Sequence, residues 1–214
     1  MNHKESIANF RKDYQKSALQ HDLLDENPIK QFENWFNQAV NAPILEPNAM
    51  ILATVLNGQP SSRVVLLKGF SNQGFVFYTN YQSHKGQSIL NNNKVALLFF
   101  WDVLERQVRI EGQAIKVSSE QSDEYFAKRP RGSQIGAWIS QQSSTIDLNT
   151  NLVEEKKQFE AKFEGKTVPR PPHWGGFLVK PNLFEFWQGR SSRLHDRFQY
   201  QLTENKWVIS RLSP

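Results

Sequence analysis

From Ala49 to Phe70 the chain reads AMILATVL, NGQP, SSRVVLLKGF, and the fold turns on how this stretch is read. Two apolar runs rich in β-branched residues flank Asn57-Gly58. That pair supplies most readily the positive φ angles of a two-residue hairpin turn, so an antiparallel hairpin is the direct reading. Downstream, SNQG leads into a third strand, FVFYT, and KVALLFFW reads as a buried strand. ERQVRIEGQAIKV alternates, with Val108, Ile110 and Ala114 on one side and Gln107, Arg109 and Glu111 on the other. Further strands are expected near 176–180, 183–188, 194–202 and 206–211.

Helices are inserted between these strands. In NPIKQFENWFNQAVN, Asn27 is a good N-cap, Pro28 suits the first helical position, and Phe32, Trp35, Phe36, Ala39 and Val40 recur at helical spacing. SHKGQSIL reads as a short helix and SSEQSDEYFAKR as a helix opening on a capping box, Ser118 to Gln121. IGAWIS reads as a short helical turn, and LVEEKKQFEAKF as a solvated helix ending at Gly165. Residues 1–27 are polar and are expected to be mobile, ahead of a single domain over 28–214. Strands dominate in antiparallel order. The expected class is therefore mainly β with helices (α+β), built as a closed or nearly closed barrel instead of a parallel α/β sheet.

Composition narrows the function. Among 214 residues, 38% are hydrophobic and 22% charged, as in an ordinary globular protein, and the formal charge of +5 admits an anionic ligand without requiring a nucleic acid. No cysteine is present, which excludes disulfides, thiolate metal sites and cysteine nucleophiles and makes a cytoplasmic location the default. VALLFFW is too short to cross a bilayer, and no secretory signal, repeat, Rossmann or P-loop motif is visible. The five histidines are scattered, without metal-ligand spacing.

What remains is a set of cationic, hydroxyl-rich stretches with aromatic neighbours. In WQGRSSRLHDRFQY (Trp187–Tyr200), strand alternation puts Arg193, His195 and Arg197 on one face and Leu194, Phe198, Tyr200 and Leu202 on the other. That face is either a solvated outer surface or a cationic wall for a flat anion beside Trp187. Arg63 and Lys68 interrupt an apolar strand, five apart and so on opposite faces; they are snorkelling cations or two arms on one ligand. Tyr78, Thr79 and Ser83 precede His84 and Lys85 at a helix start, a plausible phosphate cradle. Tyr125 and Arg129, four apart, lead to Ser133, which could surround a second phosphate or merely close a helix.

Taken together, SRVVLLKGF, FVFYTNYQSHKGQSI, LLFFWDVLERQVRIEG, YFAKRPRGSQIGAWIS, QSS, WGGFLVKP and FEFWQGRSSRLHDRF resemble the pyridoxine (pyridoxamine) 5′-phosphate oxidase family from about residue 28 to the end. The resemblance implies an FMN-binding split β-barrel and a homodimer with FMN at the subunit interface. It implies FMN contacts from Arg63, Val64, Val65, Leu66, Leu67 and Lys68, from Tyr78, Thr79, His84 and Lys85, and from Gln107, Trp187 and Arg197. Gln142 and Ser143 would add contacts from the partner subunit. Lys68, Tyr125, Arg129 and Ser133 would hold the substrate, Arg193 and His195 would sit against its pyridine ring as the catalytic pair, and Arg11 and Tyr14 would close over it.

The implied reaction is oxidation of phosphorylated B6 vitamers to pyridoxal 5′-phosphate by O2, with no nucleic-acid or membrane partner. Three rivals stand beside it: another oxidoreductase on the same barrel, a non-catalytic FMN or pyridoxal-phosphate carrier, and a nucleic-acid binder. Two departures are specific to this chain. His84 stands where the family usually has an arginine before the lysine, and SALQHDLL replaces an arginine-rich stretch sometimes found after the first helix.

Overall fold

A computed structural model describes residues 7, 9, 10 and 12–214, so Arg11 lies outside the described residues. The first long helix, α1 (Pro28–Val40), begins where the sequence places it. Asn27 caps it, its side-chain oxygen accepting the Ile29 N–H at 2.9 Å, and Pro28 occupies the first turn. The decisive hairpin follows as β1 (Ala49–Leu56) and β2 (Gln59–Leu66). Asn57 and Gly58 form its turn with φ of 51° and 79°, the positive pair that a twisted hairpin requires.

After β3 (Gly69–Ser71) and β4 (Gly74–Asn80) comes α2 (His84–Asn91), capped by Ser83. Strands β5 (Lys94–Trp101) and β6 (Arg106–Lys116) lead to α3 (Ser119–Ala127), where the Ser118 hydroxyl accepts the Gln121 N–H as the capping box requires. Helix α4 (Arg131–Ile139) is longer than IGAWIS suggested, because Pro130 precedes its first turn, where a missing N–H costs nothing. Helix α5 (Leu152–Lys162) precedes β7 (Trp174–Gln188), β8 (Asp196–Thr203) and β9 (Lys206–Arg211).

The strands form one sheet in the order β2-β1-β5-β6-β7-β4-β3, with β8 pairing both β7 and β9. Two strands expected at 176–180 and 183–188 are one continuous β7. Its register with β4 runs over 174–179 and its register with β8 over 183–188, so Pro181 falls in the gap between those two partners, where neither β4 nor β8 pairs with it. The class is mainly antiparallel β with helices, as expected.

The chain divides into two compact units, Met1–Ala49 with Leu97–Ile110 and Asn182–Pro214, and Met50–Ala96 with Glu111–Pro181. In the first, Phe32 and Trp35 of α1 pack on Phe99, Trp101 and Phe186. In the second, Phe75, Phe77, Phe177 and Met50 are at most 1% exposed, and Phe126, Ile135, Phe163 and Trp174 form a further cluster under the helices.

In the first unit the fully buried Tyr200 donates its hydroxyl to the Asp25 carbonyl at 2.8 Å, and burial pushes its phenol pKa up. Tyr200→Phe is expected to cost about 1 kcal/mol, the net worth of one buried neutral hydrogen bond. Urea unfolding should show this as a lower midpoint at unchanged slope.

Candidate functional site

In the second unit a cleft of about 440 Å³ opens between the end of β2, β4, α2 and the α3–α4 helices. Its cations are Lys68, Lys85 and Arg129, and among the described residues no carboxylate lines it. Lys85 projects from the first turn of α2. Its ammonium donates to the Gln142 side-chain oxygen at 2.9 Å and to the Thr79 hydroxyl at 3.4 Å, while Thr79 itself donates to Gln142 at 3.2 Å. Burial and then the nearby Arg63 guanidinium push the Lys85 pKa down. The charged form is thus held at a cost that an anion would offset.

The other cation–hydroxyl group is built on stacked rings. Tyr78 and Tyr125 lie parallel with centroids 3.9 Å apart, and Tyr78 stacks on Trp174 at 5.5 Å. The Arg129 guanidinium sits 4.5 Å from the Trp174 ring centroid, and Ser133 lines the cleft beside it. Burial lowers the Arg129 pKa, and its Nη1 is buried without a hydrogen-bond partner. A buried charged donor left unpaired in the protein is costly, and an anionic ligand there would offset that cost.

Arg63 does not line this cleft. Its guanidinium donates to the Leu52 carbonyl, the Thr54 hydroxyl and the Ser61 hydroxyl, and acts on the cleft through its field on Lys85. The opposite-face expectation for Arg63 and Lys68 does not apply. Strand β2 ends at Leu66, and Lys68 lies beyond it, tied by its N–H to the Val76 carbonyl.

The first unit carries a second group. Trp187 and His195 stand 4.5 Å apart between ring centroids, and Tyr14 meets both edge-on at 5.7 and 5.9 Å. Arg193 and His195 open onto a cavity of about 520 Å³ with Tyr14. The expected strand face of Arg193, His195 and Arg197 is corrected here: β8 begins only at Asp196, and Ser191–Arg193 is a helical turn with Ser192 and Arg193 at φ of 54° and 61°. Alternation fails because the backbone is not extended before Asp196. Leu194, assigned to the apolar face, is 69% exposed.

The backbone N–H of Arg190 donates to His195 Nδ1 at 3.1 Å. That bond fixes the tautomer: Nδ1 is the acceptor and Nε2 carries the proton. Burial, then Arg193 and Arg197, lower the His195 pKa. At neutral pH His195 therefore presents an N–H donor and has no free basic nitrogen. Long-range ¹⁵N NMR is expected to show this tautomer at pH 7.5, titrating below the ordinary value of 6.5. Between the two pKa values the unfolded chain binds more protons than the folded one. This group's stabilising contribution is therefore complete above 6.5 and is lost as pH falls through the folded-state pKa.

The family profile described as "Pyridoxamine 5'-phosphate oxidase" matches residues 36–158, more than half of the chain, and the profile "Pyridoxine 5'-phosphate oxidase C-terminal dimerisation region" matches 174–214. The chain belongs to the pyridoxamine 5′-phosphate oxidase family. Curated relatives named pyridoxine/pyridoxamine 5′-phosphate oxidase include those of Acaryochloris marina, 53% identical over 98% of this chain and 96% of its own, and of Haemophilus ducreyi, 54% identical over 97% and 99%. Among solved structures, PhzG from Burkholderia lata 383, crystallised with tetrahydrophenazine-1-carboxylic acid, superposes with a TM-score of 0.88 at 28% identity, covering 95% of this chain and all of its own. An FMN-binding protein from Nostoc punctiforme shares the fold with a TM-score of 0.70 at 16% identity over 86% and 97% of the chains. Both support the split-barrel fold class.

Of the positions that the family resemblance marks, the cleft gathers Val64, Val65, Leu66, Lys68, Tyr78, Thr79, Lys85, Tyr125, Arg129, Ser133 and Gln142. Gln142, expected from a partner subunit, bonds to Thr79 and Lys85 of its own chain. Leu67 points into the core at 5% exposure, and His84 and Ser143 are exposed without lining the cleft. Gln107 is half-buried on β6. Arg197 is engaged by the buried Glu185, which also pairs with Arg109 at 3.0 Å, and by the Ser213 carbonyl.

The sequence analysis does not mark the buried carboxylates Glu105, Glu185 and Asp196. Glu185 was findable, as a charge inside FEFW that must meet cations. Glu105 was not, since its burial depends on residues ninety positions away. Among the described residues no helix is long and apolar enough to cross a membrane.

Proposed function

We propose that this chain is an FMN-dependent oxidase converting pyridoxine 5′-phosphate and pyridoxamine 5′-phosphate to pyridoxal 5′-phosphate. It works as a homodimer with FMN at the subunit interface, and its product belongs to vitamin B6 synthesis or salvage. The alcohol and O2 yield the aldehyde and H2O2; the amine, O2 and water yield the aldehyde, NH3 and H2O2. The observation that carries this reading is the cleft, lined by no carboxylate among the described residues, with two separate cation–hydroxyl groups, one of them set on parallel aromatic rings. Two phosphates on flat ligands are what such a cleft suits.

FMN, when bound, supplies the electron acceptor and passes the electrons to O2. Lys85 and Thr79, with Arg63 behind them, hold its phosphate. Arg129, Ser133 and Tyr125 hold the phosphate of the substrate, and Lys68 reaches the same ligand. Arg193 and His195 orient the pyridine ring. His195 does so by donating from Nε2 to a ring substituent, because its other nitrogen is engaged by Arg190. Its role is orientation, not proton abstraction. Anchoring both phosphates turns binding energy into alignment of the reacting atoms.

The deciding experiment is an absorption titration of the FMN-loaded protein under anaerobic conditions. Pyridoxine 5′-phosphate should bleach the flavin bands, and unphosphorylated pyridoxine should do so only at far higher concentration. Bound flavin that stays oxidised with both phosphorylated vitamers would refute the oxidase reading and favour a carrier or an oxidoreductase of other specificity.

A further inference from the structure

Glu105 is 2% exposed, and among the described residues the cation paired with its carboxylate is the surface residue Lys12, at 3.6 Å. Its main partners are backbone: Oε2 accepts the consecutive N–H groups of Gln15 and Lys16 at 3.0 and 3.1 Å. Those residues belong to a strap, residues 12–20, that is largely exposed, with Leu19 its one buried apolar side chain. Its other ties among the described residues are few. Lys16 Nζ reaches the Val103 carbonyl, the Leu19 N–H reaches the buried Asp196, and Tyr14 packs against Trp187 and His195.

The other side of Glu105 is fixed as firmly. Its carbonyl accepts the Gly189 N–H at 2.7 Å and the Gln188 side-chain amide at 3.2 Å. Gly189 is also the notch that seats Tyr14, since a Cβ there would fall 2.7 Å from the Tyr14 ring. One residue therefore ties the strap and the notch together, and it does so with φ of 55°, in the left-handed region that few non-glycine residues occupy.

We propose that Glu105 is a positioning residue: by accepting two consecutive strap N–H groups it docks residues 12–20 and sets Tyr14 against Trp187 and His195. It acts on substrate through Tyr14 and touches none itself. The effect on substrate rests on the oxidase reading above; the docking of the strap does not.

The test uses the FMN-loaded full chain and two readouts. With Glu105→Ala, trypsin should cut after Lys12 or Lys16 about ten-fold faster, because local opening no longer has to break the carboxylate bonds. KM for pyridoxine 5′-phosphate should rise about ten-fold, more than kcat falls, and Glu105→Gln, which keeps one acceptor oxygen, should recover part of both effects. In a double-mutant cycle with Tyr14→Ala the two KM effects should fail to add, as for residues acting through one another.

Gln15→Pro, which deletes one of the two N–H donors and leaves the buried carboxylate in place, should give a smaller change of the same kind even if Glu105→Ala folds poorly. Unchanged proteolysis in both variants, or additive effects with Tyr14→Ala, would overturn the proposal. If the chain proves not to oxidise the vitamer, the trypsin arm still decides whether Glu105 docks the strap.

Discussion

Arg129→Ala is expected to raise the pyridoxine 5′-phosphate concentration needed for half-maximal rate roughly 100-fold, about 2.8 kcal/mol, with a much smaller change in kcat. The argument begins with the unpaired Nη1 of Arg129, buried over the Trp174 ring. In the free protein that donor stands desolvated, so a substrate phosphate gains a charge-assisted bond without first having to strip water from its partner. A phosphate far from the reacting carbon contributes alike in ground and transition states, which places the loss in KM. Arg129→Lys should recover only part of it, since an ammonium cannot span the same oxygens as a planar fork. Steady-state kinetics with bound flavin checked by absorbance would measure this. A fall confined to kcat would remove Arg129 from phosphate binding.

Lys85→Met is expected to weaken FMN binding by a similar factor, roughly 100-fold, read as a shift in a flavin fluorescence titration. Lys85 is half-buried and lies within the field of Arg63, both of which depress its pKa. A bound phosphate reverses that penalty, so the cation and the anion stabilise each other. The sign of the pH dependence follows. As pH rises through the lowered pKa of Lys85 the ammonium is lost and FMN affinity falls, beginning below the ordinary lysine value of 10.5. In the methionine variant this alkaline loss should disappear. His84, exposed and outside the cleft, should leave the affinity nearly unchanged when replaced by alanine.

Most of the secondary structure was legible because its signals are local. Asn27-Pro28, Asn57-Gly58 and Ser118 with Gln121 each fix a boundary through hydrogen bonds made within a few residues. The cleft was legible in pieces: each cation–hydroxyl stretch could be named, but their meeting depends on pairings such as β4 with β7, about a hundred positions apart. Two failures share a cause. The face assigned to Arg193, His195 and Arg197 assumed extended backbone where Ser192 and Arg193 turn left-handed, and the two strands expected near 176–180 and 183–188 are one strand that changes partner from β4 to β8 between them. Neither φ at a serine–arginine step nor a distant register is written in nearby residues. The tautomer of His195 was likewise invisible, because it is set by one backbone N–H.

The absence of cysteine and the depth of Met50 bear on how such an enzyme would age. If each turnover releases peroxide, the catalyst is the first macromolecule its product meets. Thiols and exposed thioethers are the side chains that peroxide attacks first. This chain offers no thiol, and its one methionine besides Met1, Met50, is 1% exposed within β1. Self-inflicted oxidation therefore has almost nothing to act on, and activity should persist through many cycles without a scavenger in the vessel.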